Sequence, residues 1–180
     1  MRKKLLLHAC CAPCSCGVID QVKDYDITLL FYNPNLDTLD EYNRRLEAMN
    51  IMIAFFNSKG YNLKLIAIPY NENEFLSKVQ GFENEKEGGK RCPICLSLRL
   101  DFTAKFASEN GYDIFASTLS VSPHKDYELI NNIGANVSKK YNIEYLPNNF
   151  KKNNGFLNSI KISKEMGIYR QNYCGCKFAK

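Results

Sequence analysis

Lys4-Leu5-Leu6-Leu7-His8-Ala9-Cys10-Cys11 begins as an apolar run and ends on two adjacent thiols. A short unbroken apolar run that ends in loop residues reads as a strand buried on both faces, the kind found inside a parallel sheet. Lys4–His8 is therefore predicted to be a strand that empties into a cysteine loop. The remaining chain repeats this alternation. Further strands are predicted at Ile27–Tyr32, Leu63–Ile68, Ile114–Ser117 and Ile143–Leu146. Between and after them lie predicted helices at Gly17–Lys23, from Asp37 to the capping Gly60, Asn71–Val79, Cys92–Asn110, Asp126–Tyr141 and Phe156–Met166. In the second of these, Leu39, Tyr42, Leu46, Met49, Ile53 and Phe56 recur at steps of three and four, one apolar helix face. Strands that alternate with helices give a parallel sheet with right-handed crossovers, hence a three-layer, Rossmann-like α/β sandwich. The order of its strands is not readable from this pattern. At 180 residues the chain is expected to form one domain, 1–180.

In such a sheet, ligands bind beyond the carboxyl ends of the strands. Cys10 and Cys11 follow the first predicted strand and Ser117-Thr118 end the fourth, so both fall at that edge. The eight cysteines are bunched: Cys10, Cys11, Cys14 and Cys16; Cys92 and Cys95; Cys174 and Cys176. Structural thiols scatter through a core, whereas thiols grouped this way point to metal or redox chemistry. Cys92-Pro93-Ile94-Cys95 is expected to open a helix with Cys92 at its N-cap, where free amides and the helix dipole favour thiolate. The polar residues 81–90 just before it are expected to form a loop.

Cys10-Cys11 and Cys92/Cys95 could converge on one centre. Four thiolates suit either zinc or an iron–sulfur cluster, and the adjacent pair with its long separation from the second pair favours the cluster. Cys174-Gly175-Cys176 is a separate device: it could close a strained, reducible disulfide, or hold a second metal ion together with Cys14. His8 is expected to pack within its strand, and His124 to lie in a loop.

The formal charge of +5 permits a polyanionic partner without requiring one. The apolar run after Arg2-Lys3-Lys4 is too short for an export helix, and no stretch approaches the ~18 apolar residues of a membrane span. A cytoplasmic protein with no membrane association is expected.

The segments His8-Ala-Cys-Cys-Ala-Pro-Cys14, Phe31-Tyr-Asn-Pro-Asn35 with Glu41-Tyr42, and Arg91-Cys-Pro-Ile-Cys95 resemble the QueH-type epoxyqueuosine reductase family. So do Ser117-Thr-Leu-Ser-Val-Ser-Pro123, Asn149-Phe150-Lys151 and Gly167-Ile-Tyr-Arg-Gln-Asn-Tyr-Cys-Gly-Cys176. The resemblance runs along nearly the whole chain. It implies a fold similar to the adenine nucleotide alpha hydrolase type, without the phosphate-binding Ser-Gly-Gly-x-Asp-Ser loop of its ATP-using members. It also implies the last step of queuosine synthesis: a cobalamin-independent two-electron reduction of epoxyqueuosine to queuosine at the tRNA wobble position.

By the same resemblance Cys10, Cys11, Cys92 and Cys95 would hold a [4Fe-4S] cluster, and Cys174 and Cys176 would be the redox-active pair. Cys14 would be a ligand of a second metal ion, iron or zinc. Partners would be tRNA carrying epoxyqueuosine and an electron donor that the residues do not identify. Candidate substrate contacts are Tyr169, Arg170 and Tyr173 for the base, and Lys125, Lys151 and Lys152 for phosphates. Two other functions fit parts of the pattern: an iron–sulfur tRNA thiolase, which would need ATP, and a zinc-stabilised RNA-binding module.

Overall fold

The computed structural model describes residues 2–179. Five strands, β1 (Lys4–His8), β2 (Asp26–Phe31), β3 (Lys64–Ala67), β4 (Ile114–Ser117) and β5 (Glu144–Tyr145), form one parallel sheet in the order β3-β2-β1-β4-β5. Six α-helices connect or follow them: α1 (Ala12–Cys16), α2 (Leu39–Ser58), α3 (Glu72–Val79), α4 (Arg91–Glu109), α5 (Tyr127–Tyr141) and α6 (Gly155–Glu165). The α/β class and the three layers follow directly. Successive residues of a strand point to opposite faces. Leu5 and Leu7 accordingly enter a core shared with Met49, Met52 and Phe56 of α2, while Leu6 enters another with Leu96, Leu100 and Ala104 of α4. Helices α1 and α6 contact each other on the first side, and α4 packs on α5 on the second.

The chain leaves β1 toward β2 and β3 on one side and returns to β4 on the other. The strand order thus reverses beside β1, and a crevice opens at the carboxyl ends of β1 and β4. Cys10 stands at that crevice, its backbone N–H donating to Thr118 Oγ1 across the gap at 3.2 Å.

Two predicted helix starts were misplaced. Residues 17–23 do not form the first helix; α1 begins at Ala12, inside the cysteine cluster, and Ile19–Val22 is only a 3₁₀ turn. Cys11 caps α1, its sulfur accepting from the backbone N–H of Cys14 at 3.5 Å, and Pro13 occupies the first turn, where no N–H is missed. Gly17 follows the helix where α6 passes close, and no side chain fits there: a Cβ would lie 2.1 Å from the carbonyl oxygen of Gly155. Helix α4 likewise starts at Arg91 and is preceded by Lys90, so Cys92 lies within the first turn and is not the N-cap.

His8 is fully buried at the end of β1, between the hydroxyl of Ser117 and the carbonyl of Tyr32, each at 3.0 Å. A carbonyl only accepts, so Nε2 carries the hydrogen and Nδ1 takes one from Ser117; the neutral ring is satisfied. Burial, with the Arg99 guanidinium adding to it, pulls the imidazole pKa down to about 4 from 6.5. The unfolded chain therefore binds a proton that the folded one refuses between those values. Stability should rise with pH from about 4 to 6.5 and be lost as pH falls through that window, by about 3 kcal/mol for this group. In denaturant titrations over this range the His8→Gln variant should show a shallower slope, by about one proton. Equal slopes would show that burial does not hold the ring neutral.

Candidate metal centre and its cleft

The end of β1 and the start of α1 place three sulfurs together. Those of Cys10, Cys11 and Cys14 lie within 4.8 Å of one another, a group that could hold a metal ion. Cys10 and Cys11 are 3.8 Å apart, and the Thr118 hydroxyl donates to the Cys10 sulfur at 3.5 Å. Hydrogen bonds from the Cys11 and Cys14 thiols hold the Cys10 pKa well below its ordinary value. The contact with Cys10, together with burial, pushes Cys11 up to about 12, and the contacts with Cys10 and Cys11 push Cys14 well above its ordinary value. One thiolate is thus shared by three sulfurs. Cys16, one turn further, is buried in the core, and burial pushes its thiol up to about 12.

The first turn of α4 forms a second wall. Cys92 is half-buried and accepts from the Gly88 N–H at 3.1 Å; Cys95 is buried, which pushes its thiol up to about 11. Arg91, almost wholly buried, donates to the carbonyls of Phe82, Glu83 and Glu85 at 2.6–3.0 Å and to that of Phe178 at 3.2 Å. It binds the loop at 81–90 and the C-terminal segment to the helix start.

The C-terminal segment forms a third. Cys176 packs beside Phe75, Val79 and Cys95, while the Cys174 sulfur lies 3.9 Å from Lys125 Nζ. The disulfide expected between them is not formed: all eight cysteines are free thiols. Gly175, between them, has φ +100° and abuts α2, where a Cβ would lie 2.4 Å from Leu36 Cδ2 and 2.8 Å from Arg45 Nη2. Arg45 fixes the approach. Its Nε donates to Glu41 at 2.6 Å, its Nη1 and Nη2 reach the carbonyls of Cys174 and Tyr173 at 3.4 and 3.5 Å, and Tyr169 donates to the other Glu41 oxygen at 2.8 Å.

These walls enclose two adjoining cavities of about 620 and 120 Å³. Cys10 and Cys14 line the larger and Cys92, Cys95 and Cys176 the smaller, while Cys174, Arg99 and Lys125 line both. The two expected ligand pairs therefore share a cleft, but only Cys10 and Cys11, with Cys14, form a tight sulfur group. A larger cavity, of about 660 Å³, lies around Tyr25 and Tyr61, away from every cysteine.

Charge distinguishes this cleft. Arg99, 3% exposed and one turn beyond Cys95, has its Nε bonded to the Cys95 carbonyl at 3.3 Å. Among the described residues neither Arg99 nor Lys125 has a carboxylate within ion-pair distance. A buried cation without countercharge is strongly unfavourable. Burial works against the charge on both, yet the sulfurs of Cys95, Cys174 and Cys10 for Arg99, and of Cys174 above all for Lys125, outweigh it and leave both pKa values raised. The cleft is electrostatically built for negative sulfur, as a thiolate-ligated metal centre provides.

The other expected contacts are dispersed. Lys125 faces the thiols and Lys151 donates to its carbonyl at 2.8 Å, whereas Lys152 is exposed. The Tyr173 hydroxyl donates to Asp37 at 2.8 Å and its ring lies 5.7 Å from the Arg45 guanidinium. Tyr169 is held by Glu41, and Arg170, exposed, lines the larger cavity beside His124. Arg45 and Arg99 escaped the sequence reading, although each carries a trace: Arg45 lies four residues after Glu41, and Arg99 four after Cys95.

Residues 5–180 match the protein family described as Epoxyqueuosine reductase QueH. A protein of that name from Streptococcus pyogenes serotype M1 is 44% identical over 181 residues, 99% of this chain and 71% of that protein. Its namesake from Thermotoga maritima is 37% identical over 178 residues, 97% of this chain and 89% of that protein. Among solved structures, a predicted subunit of a tRNA methyltransferase from Methanocaldococcus jannaschii aligns with a TM-score of 0.47 at 14% identity, covering 94% of this chain and 91% of that one.

Proposed function

The chain belongs to the epoxyqueuosine reductase QueH family of oxidoreductases, and from that premise we propose that it reduces epoxyqueuosine to queuosine at the wobble position of tRNA. The observation that carries the chemistry is the cleft where buried Arg99 and half-buried Lys125 face thiols with no carboxylate at ion-pair distance among the described residues. Cys10, Cys11, Cys92 and Cys95 are the ligands of a [4Fe-4S] cluster in this reading, and the cluster, when bound, supplies electrons one at a time. Arg99 and Lys125 offset its negative charge.

Removing the epoxide oxygen as water consumes two electrons and two protons. The dithiol Cys174/Cys176 balances this: both S–H bonds break, an S–S bond forms, the two C–O bonds break, and an alkene and water result. An external electron donor then returns the disulfide to the dithiol. Cys14 supports a second reading, since its sulfur sits with Cys10 and Cys11: it would share a further metal ion, iron or zinc, with the tail thiols. Lys152, exposed, and Arg170, exposed at the larger cavity, are the proposed phosphate contacts, and base contact falls to Tyr169 and Tyr173. No described helix is long and apolar enough to cross a membrane. The cytoplasm, where tRNA is modified and thiols stay reduced, is the proposed compartment. Family membership favours this activity over a tRNA thiolase or a zinc-stabilised RNA-binding module.

The test is anaerobic reconstitution with iron and sulfide, then incubation with epoxyqueuosine-containing tRNA and a low-potential reductant. Digestion and mass spectrometry should show nucleoside lighter by one oxygen. Iron-replete protein that leaves the nucleoside unchanged would overturn the reading.

A further inference from the structure

Two buried side-chain oxygens have no hydrogen-bond partner among the described residues, Asn35 Oδ1 and Gln171 Oε1. They come from distant segments, the loop after β2 and the C-terminal tail, yet both residues line the same 620 Å³ cavity beside Cys10, Cys14 and Cys174. Asn35 is 2% exposed. Its neighbour Asn33, equally buried, shows the ordinary arrangement: its amide donates to the Ala9 carbonyl at 2.9 Å and holds the loop in place. A buried acceptor left unpaired costs stability, and such groups persist where a ligand completes them. Both oxygens are closed off from solvent as they stand, so a hydrogen-bond donor in the cavity beside the sulfurs completes them when the two amides turn toward it.

The surroundings select among donors. Arg45, Arg99, Lys125 and Arg170 line the same cavity against one acidic residue, Glu87, and this positive excess disfavours an ammonium there and leaves neutral donors. The rest rests on the function proposed above. The cyclopentane ring of epoxyqueuosine that carries the epoxide also carries two hydroxyls, and its amine lies on the tether to the base. With the epoxide at the sulfurs, the hydroxyls are the neutral donors nearest to them. We propose that Asn35 and Gln171 accept hydrogen bonds from the ring hydroxyls and thereby orient the epoxide against the thiols. Both are binding residues that position substrate, and neither holds metal. A site of this kind also discriminates, because a ring without hydroxyls leaves both oxygens unpaired.

The experiment compares Asn35→Leu, Gln171→Met and Asn35→Asp with the parent on epoxyqueuosine-tRNA, alongside iron content and the thermal midpoint without substrate. Leu and Met replace the unpaired acceptors by apolar groups of similar size. They should keep full iron content, hold or raise the midpoint, and raise KM so that kcat/KM falls roughly three- to tenfold. Asn35→Asp keeps the acceptor oxygens and should stay within about twofold of the parent, which also guards against misfolding of the Leu variant. A lowered midpoint with unchanged KM in Asn35→Leu and Gln171→Met would assign both residues to structure and overturn the proposal. Parental protein that leaves the tRNA unreduced would instead overturn the functional reading, and this inference with it.

Discussion

Serine at Cys174 or at Cys176 should leave iron and sulfide at parental levels and lower turnover of epoxyqueuosine-tRNA by roughly a thousandfold or more. The sulfur of Cys174 stands in the cleft 3.9 Å from the half-buried Lys125, and Cys176 packs beside Cys95, so both lie next to the proposed cluster without being among its ligands. A single remaining thiol cannot deliver two electrons by forming a disulfide within the tail, which is why either substitution alone should suffice. The architecture around them is specific. Gly175 takes a left-handed conformation against Leu36 and Arg45, and the buried Arg45–Glu41 pair reaches the carbonyls of Cys174 and Tyr173. If the tail thiols instead hold a metal ion with Cys14, Cys14→Ser should show the same loss of turnover, accompanied by loss of one non-cluster metal per chain. Single-turnover rates with thiol titration separate the two. Near-parental rates in both tail variants would remove the tail from the chemistry.

The sequence made the sheet legible and the site only half so, for identifiable reasons. Lys4–His8 and Ile114–Ser117 coincide with β1 and β4 because a strand buried on both faces is a bare apolar run whose limits are set by polar neighbours. Strand order was hidden because crossovers through helices leave no trace in local pattern. The first helix was misplaced because its N-cap is the sulfur of Cys11, outside the Ser/Thr/Asp/Asn set by which such starts are recognised. The apolar stripe of α2 was read slightly off the true face. Leu39 is 55% exposed, while Glu41 and Arg45 are buried, since part of this helix packs on a polar tail as well as on the sheet. Grouped cysteines pointed to thiol chemistry, but spacing could not say which sulfurs touch. Cys14 joins Cys10 and Cys11 through one turn of α1, whereas Cys92 and Cys95 stand across the cleft.

That last separation makes the ligand set open to direct measurement. Serine at Cys10, Cys11, Cys92 or Cys95 should reduce cluster iron from about four per chain to well under one, since each supplies one of four thiolates. Serine at Cys14 should keep cluster iron and sulfide near the parental level. The physical grounds are the charges and donors around each sulfur. Cys92 accepts from the Gly88 amide at the start of α4, and the Arg99 guanidinium opposes the rise that burial imposes on Cys95. The Cys10 pKa is already held down by its neighbours, and Cys11 shares that hydrogen bond. Cys14, like Cys11, is pushed up by its contact with Cys10, so ionisation does not rank these two sulfurs, and the iron content of Cys14→Ser against Cys11→Ser does. Iron, sulfide and the visible absorption of each anaerobically reconstituted variant decide the matter. Loss of the cluster in Cys14→Ser together with its retention in Cys92→Ser would move the centre onto the compact Cys10, Cys11 and Cys14 group and release Cys92 from it.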